Sequence, residues 1–341
     1  MKEDIDKIRA LWKEERHLGG ATFAGLKKLK AFENGKTLTN SARTTFLNCR
    51  KKYEYSYVYG LAPRKPSIPF LVGGLFHDEL DRMYTNGDFD EGEARLRISK
   101  ACAKASRQEG LTSDDSEKIF MQQAIAMGAV KGYANKYLEA DLKLWEVVEA
   151  EGAFKIEMPG GWSYWGKTDL VIKEKKSGKI KLVEHKTAGK LDAAYVAKLP
   201  LDNQILGYAW AKLEQKVKLQ GVIYNVTKKP QIRQRQNETL NDFYRRVENE
   251  YIERPEEYFY RESLQFSGDD IKRFSDELKK FLNEIDRCHD EDFFYQNTSH
   301  CTAMGMCPFI KLCTDGTSKE NLMLYRVKGR AHEEIPEEET A

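Results

Sequence analysis

Along the chain the spacing of apolar residues changes character more than once. From about Asp88 to Leu142 they recur every three or four positions, through ISKACAKASRQ and EKIFMQQAIAMGAVKGYANKYL, the period of amphipathic helices. Beyond Leu142 the period shifts towards two. LWEVVEAEGAFKIEM, WSYWGKTDLVIKE and KIKLVEHKT read as a three-strand meander, with Lys176-Ser177-Gly178-Lys179 as the turn between the last two. Helix returns in LDNQILGYAWAKLEQ, a strand follows in LQGVIYNVTKK, and LNDFYRRVENEYIERP is helical again. EEYFYRESLQF predicts an edge strand, and SGDDIKRFSDELKKFLNEIDRC an amphipathic helix with Ser267 as its N-cap.

Ahead of these elements, residues 1–36 read as a charged amphipathic helix and a glycine-containing break, HLGGATFAG, with no recognisable chemistry. TNSARTTFLNCRKKYEYSYVYGL then predicts an aromatic-rich, basic helix with Asn40 and Ser41 as N-caps. After the loop APRKPSIP, the glycines of GGLFHDELDRMY precede an amphipathic helix that carries His77 near its start. The pattern divides the chain into an N-terminal helical segment (1–36), a segment opening the main domain (37–87), a helical insertion (88–143), a core (144–265), a C-terminal helix with a cysteine region (266–316) and a charged tail (317–341). The tail ends in AHEEIPEEETA, a composition expected of a partly disordered segment.

Composition narrows the function classes. With 341 residues and 40% hydrophobic content the chain can bury a full core. No run of about 18 uncharged apolar residues occurs, and the first residues lack a signal peptide's apolar stretch, so a soluble cytoplasmic protein without membrane association is expected. Lys plus Arg (56) nearly balances Asp plus Glu (54), giving a net charge of +2; a nucleic-acid surface would have to be a local groove. The sequence has no GxxxxGK[ST] phosphate loop, so a helicase motor would be a separate polypeptide.

The strand KIKLVEHKT places Glu184 and Lys186 two positions apart, on one face of a sheet. Asp169, in the preceding strand, can reach Glu184 across an antiparallel hairpin. Two carboxylates and a lysine so placed suit phosphodiester hydrolysis, because hard oxygen ligands hold Mg²⁺ or Mn²⁺ and an ammonium can meet charge developing on a phosphate. Glu-x-Lys also occurs at Glu174, Glu214 and Glu277, but only Glu184 follows an apolar run and a turn leading back to a second acidic strand. Gln204 and Tyr208 lie at i and i+4 of the next helix, one above the other, where both can support contact with a nucleic-acid backbone. Upstream, His77 offers a third metal ligand.

In order and spacing these residues resemble the RecB-type branch of the PD-(D/E)XK nucleases: a GG-x-x-His helix, an Asp on one strand, Glu-x-Lys on the next, and Gln-x-x-x-Tyr on the following helix. The resemblance spans roughly Thr39 to Cys313. It implies an α/β fold with a restriction-endonuclease-like core, a central mixed sheet flanked by helices. It further implies that His77, Asp169, Glu184 and the backbone carbonyl of His185 hold the metal while the His185 side chain turns away, that Lys186 is catalytic, and that Gln204 and Tyr208 support DNA contact.

Six cysteines in such a chain point to metal or redox chemistry more than to disulfides. Cys301, Cys307 and Cys313 recur at equal intervals in HCTAMGMCPFIKLC, and Cys49 is the best candidate for a fourth thiolate. This set resembles the iron-sulfur nucleases of the AddB and CRISPR-adaptation type, where one early and three late cysteines bind a 4Fe-4S cluster; Zn²⁺ on the same cysteines is the chemical rival. Cys102 and Cys288 read as helix-core residues. Arg50, Lys51, Lys52, Tyr53, Tyr55 and Arg64 interleave charge with aromatic rings, the pattern of a surface that neutralises phosphates and stacks bases of single-stranded DNA. Arg245, Arg246 and Arg261 are candidates for a phosphate-binding rim. The expected function is a metal-dependent exonuclease at DNA ends in phage or bacterial replication, recombination or repair, working with a separate helicase, annealing protein or integrase. The alternatives are a CRISPR-adaptation nuclease that trims DNA before integration and a DNA-end-binding module without catalysis.

Overall fold

The structure is a computed structural model that describes residues 36–65, 68–108, 111–303, 305–328 and 332. The helix and glycine break expected before residue 36, and the end of the charged tail (329–331 and 333–341), lie outside the described residues.

Strand β1 (Lys36–Leu38) leads into α1 (Asn40–Asn48). Thr39, rather than Asn40 or Ser41, is the N-cap: its extended backbone lets the hydroxyl accept the Ala42 N–H at 3.1 Å. Cys49, extended at φ −163°, breaks the helix before α2 (Arg50–Tyr53), which runs into a π turn at Glu54–Val58 and the short strand β2 (Leu61–Pro63). Helix α3 spans Ile68–Asn86, so the glycines expected to precede it lie inside it. A Cβ added to Gly73 would sit 3.5 Å from the Thr187 hydroxyl, which places that face of α3 close against the sheet. Then come α4 (Glu91–Ala105), α5 (Ser113–Tyr133) and, after a π turn, α6 (Glu139–Leu144). The strands β3 (Trp145–Met158), β4 (Trp162–Glu174) and β5 (Ile180–Ala188) follow the expected meander. They lead to α7 (Asn203–Glu214), β6 (Val222–Lys228), α8 (Leu240–Glu253), β7 (Phe259–Leu264), α9 (Gly268–Asp290), α10 (Ile310–Thr314) and β8 (Tyr325–Val327).

The chain divides into two compact units. One comprises the described residues up to Lys65, with 155–166 and the chain from Asp276 onward; the other comprises 66–154 and 167–275. In the second unit, β4 pairs antiparallel with β5, β5 parallel with β6, and β6 antiparallel with β7. In the first, β1 pairs parallel with the start of β4, and β2 antiparallel with β8. With β3 also on β4, the principal sheet has six strands and mixed direction. Apolar faces of α3, α4, α5 and α8 join Leu170, Ile172, Val183 and Ile223 in the core of the second unit. There α5 approaches α8 so closely that a Cβ on Gly128 would lie 2.7 Å from the Tyr251 ring, which is why glycine stands at that position.

Strand β3 changes phase along its length. Trp145 is buried on one parity, whereas Gly152, Phe154 and Met158 are buried on the other. Between them Glu151 sits at φ 51°, a left-handed conformation rare outside glycine. Such an extra residue bends a strand and re-aims a side chain.

Candidate functional site

The register that sets Leu170 against Val183 brings Asp169 beside Glu184. Glu184 is fully buried and Lys186 follows it on the same face of β5. The Lys186 ammonium pairs with Glu184 Oε1 and donates to Gln204 Oε1 at 3.0 Å. Gln204 Nε2 in turn donates to the Tyr208 hydroxyl at 2.7 Å, and the Tyr208 ring is buried against Phe154. On its other side, Asp169 Oδ2 accepts the His185 backbone N–H at 2.8 Å, and Oδ1 lies 3.2 Å from His77 Nδ1. The structure thus brings His77, Asp169, Glu184, Lys186, Gln204 and Tyr208 into one connected group within the second unit.

Glu151 was not foreseen. Its carboxylate, His77 and Asp169 offer ligand atoms that all lie within 4.8 Å of one another, a spacing that could hold a metal ion. It also pairs with Lys167. The change of apolar parity between Trp145 and Phe154 was a readable signal of the break that places it.

Electrostatics fit a divalent cation. Burial, then the neighbouring Asp169, raises the Glu184 carboxyl to about 7. Burial alone would raise Asp169 too, but His77 and Lys186 hold it well below the usual carboxylate range. Burial depresses Lys186, yet Glu184 and Asp169 more than compensate and keep it charged. For His77 burial is outweighed by Asp169, and the imidazole is raised. Glu184 Oε2 has no hydrogen-bond partner among the described residues. An orphaned buried carboxylate oxygen beside a second carboxylate is the donor set that Mg²⁺ or Mn²⁺ accepts. His77, Glu151, Asp169 and Glu184 are the residues that could hold the ion.

The His185 imidazole lies on the face of β5 opposite Glu184 and Lys186. It is buried, stacks on Tyr84, and lines a small cavity together with His77, Glu151 and Asp169. Burial lowers it to about 3, so the ring is neutral. Behind it, Arg261 forms a bidentate pair with the buried Asp141 at 2.6 and 2.8 Å and packs 3.8 Å from the Tyr137 ring centroid. Arg261 is therefore not part of an exposed phosphate rim, and Arg246 is likewise engaged, in a two-pronged pair with Glu238 at 2.7 Å.

In the first unit, Cys49, Cys301, Cys307 and Cys313, all half-buried, line one hollow with Lys52, Tyr55, Asn297 and His300. The Asn297 backbone N–H donates to Cys49 Sγ at 3.4 Å, and its side-chain amide donates to the Asn48 carbonyl at 2.8 Å, so the break at Cys49 is pinned to the region of the late cysteines. The Cys307 N–H donates to the Cys301 carbonyl at 2.7 Å. Cys102 and Cys288 are buried elsewhere.

The expected base-stacking surface is corrected here. Tyr53 and Tyr55 are buried, at 4% and 7% exposure: Tyr53 packs on Phe46, Tyr57 and Phe294, and Tyr55 on Tyr59 and Phe309. Their i, i+4 spacing turns the rings inward in pairs. Arg50 pairs with Glu284 and lies over the Tyr295 ring, Lys51 pairs with Glu54, and Lys52 lines the cysteine hollow. Arg64 is exposed, with its Nε donating to the Met323 carbonyl at 2.9 Å. Among the described residues, no helix is long and apolar enough to cross a membrane.

A family model described as the PD-(D/E)XK nuclease superfamily matches residues 37–314. No curated protein matches the chain. Among solved structures, one titled "Crystal structure of SSO0001" is similar at 13% identity over 86% of this chain and 95% of that one, with a TM-score of 0.35. That likeness carries no argument.

Proposed function

The chain belongs to the PD-(D/E)XK nuclease superfamily, and from that premise we propose that it is a Mg²⁺- or Mn²⁺-dependent DNA exonuclease of the RecB-type branch. The observation that carries this reading is the continuous group from His77 through Asp169, Glu184 and Lys186 to Gln204 and Tyr208. A bound divalent cation supplies Lewis-acid stabilisation of phosphate charge and acidifies a water. The chain's own residues do the rest. His77, Glu151, Asp169 and Glu184, with the His185 carbonyl, would hold the ion. Lys186, oriented by Glu184 and Gln204, offers its ammonium to the phosphate. Gln204 and Tyr208 fix that lysine and support the DNA backbone.

In the first unit the proposed group is a 4Fe-4S cluster on Cys49, Cys301, Cys307 and Cys313. Zinc on the same cysteines is the rival reading, and metal analysis separates the two: about four irons per chain against about one zinc. The proposed setting is end processing in phage or bacterial replication, recombination or repair, with any helicase, annealing protein or integrase as a separate partner.

The test is cleavage of end-labelled single- and double-stranded DNA, with blocked and unblocked termini, in Mn²⁺. Degradation is expected from free ends only, and to be lost in Glu184→Ala and Lys186→Ala. Equal degradation by all three proteins would remove the assigned site, and cleavage of blocked DNA would remove the exonuclease reading.

A further inference from the structure

Sheet register lays three polar residues in one row behind the metal-ligand group. His185 on β5 stands opposite Asn225 on β6, and Asn225 stands opposite Arg261 on β7. All three belong to the second unit, where His185 and Asn225 are each 2% exposed. Such groups are hydrogen-bonded when buried, and the direction of each bond can be read from the groups that have no choice.

Arg261 can only donate, and Asp141 can only accept. The Arg261 Nε–H goes to Asn225 Oδ1 at 2.6 Å, which fixes the amide orientation and makes Asn225 Nδ2 the donor towards His185. Asn225 Nδ2 lies 3.3 Å from His185 Nδ1 and 3.2 Å from the Tyr133 hydroxyl. Tyr133 also accepts from Arg261 at 3.2 Å and is 2.8 Å from the Tyr84 hydroxyl, which donates to Asp141 at 2.7 Å. The network closes in one sense only: Tyr133 gives its proton to Tyr84, and Tyr84 gives its own to Asp141. His185 Nδ1 must then be the acceptor, so the ring proton sits on Nε2.

That nitrogen is buried and has no partner among the described residues, while the ring borders the cavity shared with His77, Glu151 and Asp169. The cavity measures about 10 Å³, room for one water-sized occupant. The His185 ring shares this cavity with the Glu151 and Asp169 carboxylates, so a donor and two acceptors border one space.

We propose that the Arg261–Asn225 pair locks His185 as the Nε2–H tautomer, making His185 a positioning residue that donates to one water oxygen held beside His77, Glu151 and Asp169. The proposal rests on the reading of that group as a divalent-cation site. His185 tunes the site from its edge and does not ligate the ion through its ring.

Two measurements on the full chain test it. Selective ¹⁵N-histidine labelling of the metal-free protein reads the tautomer, with the His185 signals assigned by their loss in His185→Phe. Nε2–H is expected in the wild type, and Asn225→Asp, which turns the donor into an acceptor, is expected to move the proton to Nδ1. A wild-type Nδ1–H signal would overturn the proposal. Mn²⁺ titration without DNA reads the consequence: His185→Phe keeps the ring volume but has no donor, and should weaken binding by about tenfold. His185→Gln, whose amide reaches the Nε2 position, should recover most of that loss, a rescue that a purely packing role would not give. Wild-type affinity in His185→Phe would overturn the donor role alone. Absence of Mn²⁺ binding in the wild type would overturn the cation reading and the donor role together, leaving the tautomer to be judged by the nitrogen spectrum.

Discussion

The two units build their chemically distinctive groups by different means. In the second, one β-hairpin and its flanking helices place carboxylates, a lysine and histidines through strand register, and nearly every member touches the next at hydrogen-bond distance. In the first, one cysteine at a helix break and three near the chain's end line a hollow, linked mainly by backbone bonds around Asn297 and Cys307. A site built on regular structure is held before any ion arrives. A site built on loops gains its order from what it binds. The first arrangement suits catalysis, where ligand geometry must persist through turnover; the second suits a clasp.

Separate injuries to each unit sharpen that contrast. The largest effect is expected from Lys186→Ala, which should lower the DNA cleavage rate by about 100- to 1,000-fold while leaving iron content unchanged; loss of iron as well would break the distinction. Asp141→Ala leaves Arg261 charged and unpaired in the interior, and should destabilise the protein by about 3–5 kcal/mol in denaturant titrations. Cys49→Ser should release iron and lower the melting temperature by about 5–10 °C, equivalent to a few kcal/mol, with Mn²⁺ affinity retained.

Proton linkage gives a graded test of the catalytic unit. Glu184 must ionise to receive a cation, and in the cation-free protein its carboxyl is raised to about 7. The His77 imidazole, raised because burial is outweighed by Asp169, must also lose its proton to ligate, so Mn²⁺ affinity should rise with pH by at least about tenfold per unit below the Glu184 value, with protons released on binding. Metal retention at the proposed cysteine cluster should not follow this profile. The smallest effect is expected from Tyr208→Phe, which removes the hydroxyl that receives the Gln204 amide and should cost about 1 kcal/mol of stability, while lowering cleavage several-fold if Gln204 orients Lys186.

Much of the catalytic unit was legible in residue order. A two-residue strand period carries Glu184 and Lys186 to one face whatever surrounds them, and a four-residue helical step does the same for Gln204 and Tyr208. The aromatic-basic segment was misleading for a physical reason. Period alone says that Tyr53 and Tyr57, or Tyr55 and Tyr59, share a side of the helix; whether that side meets solvent or a core is decided by Phe294 and Phe309, distant in sequence.

The sequence by itself determined the mixed α/β pattern, the meander with its acidic and basic positions, and the four cysteines as a candidate set. Only the tertiary structure decided that Glu151, turned by a phase shift in β3, joins His77 and Asp169, and that Asn225 and Arg261 stand in line behind His185. Local periodicities are written in neighbouring residues, whereas cross-strand rows depend on register, which arises only when distant segments pair.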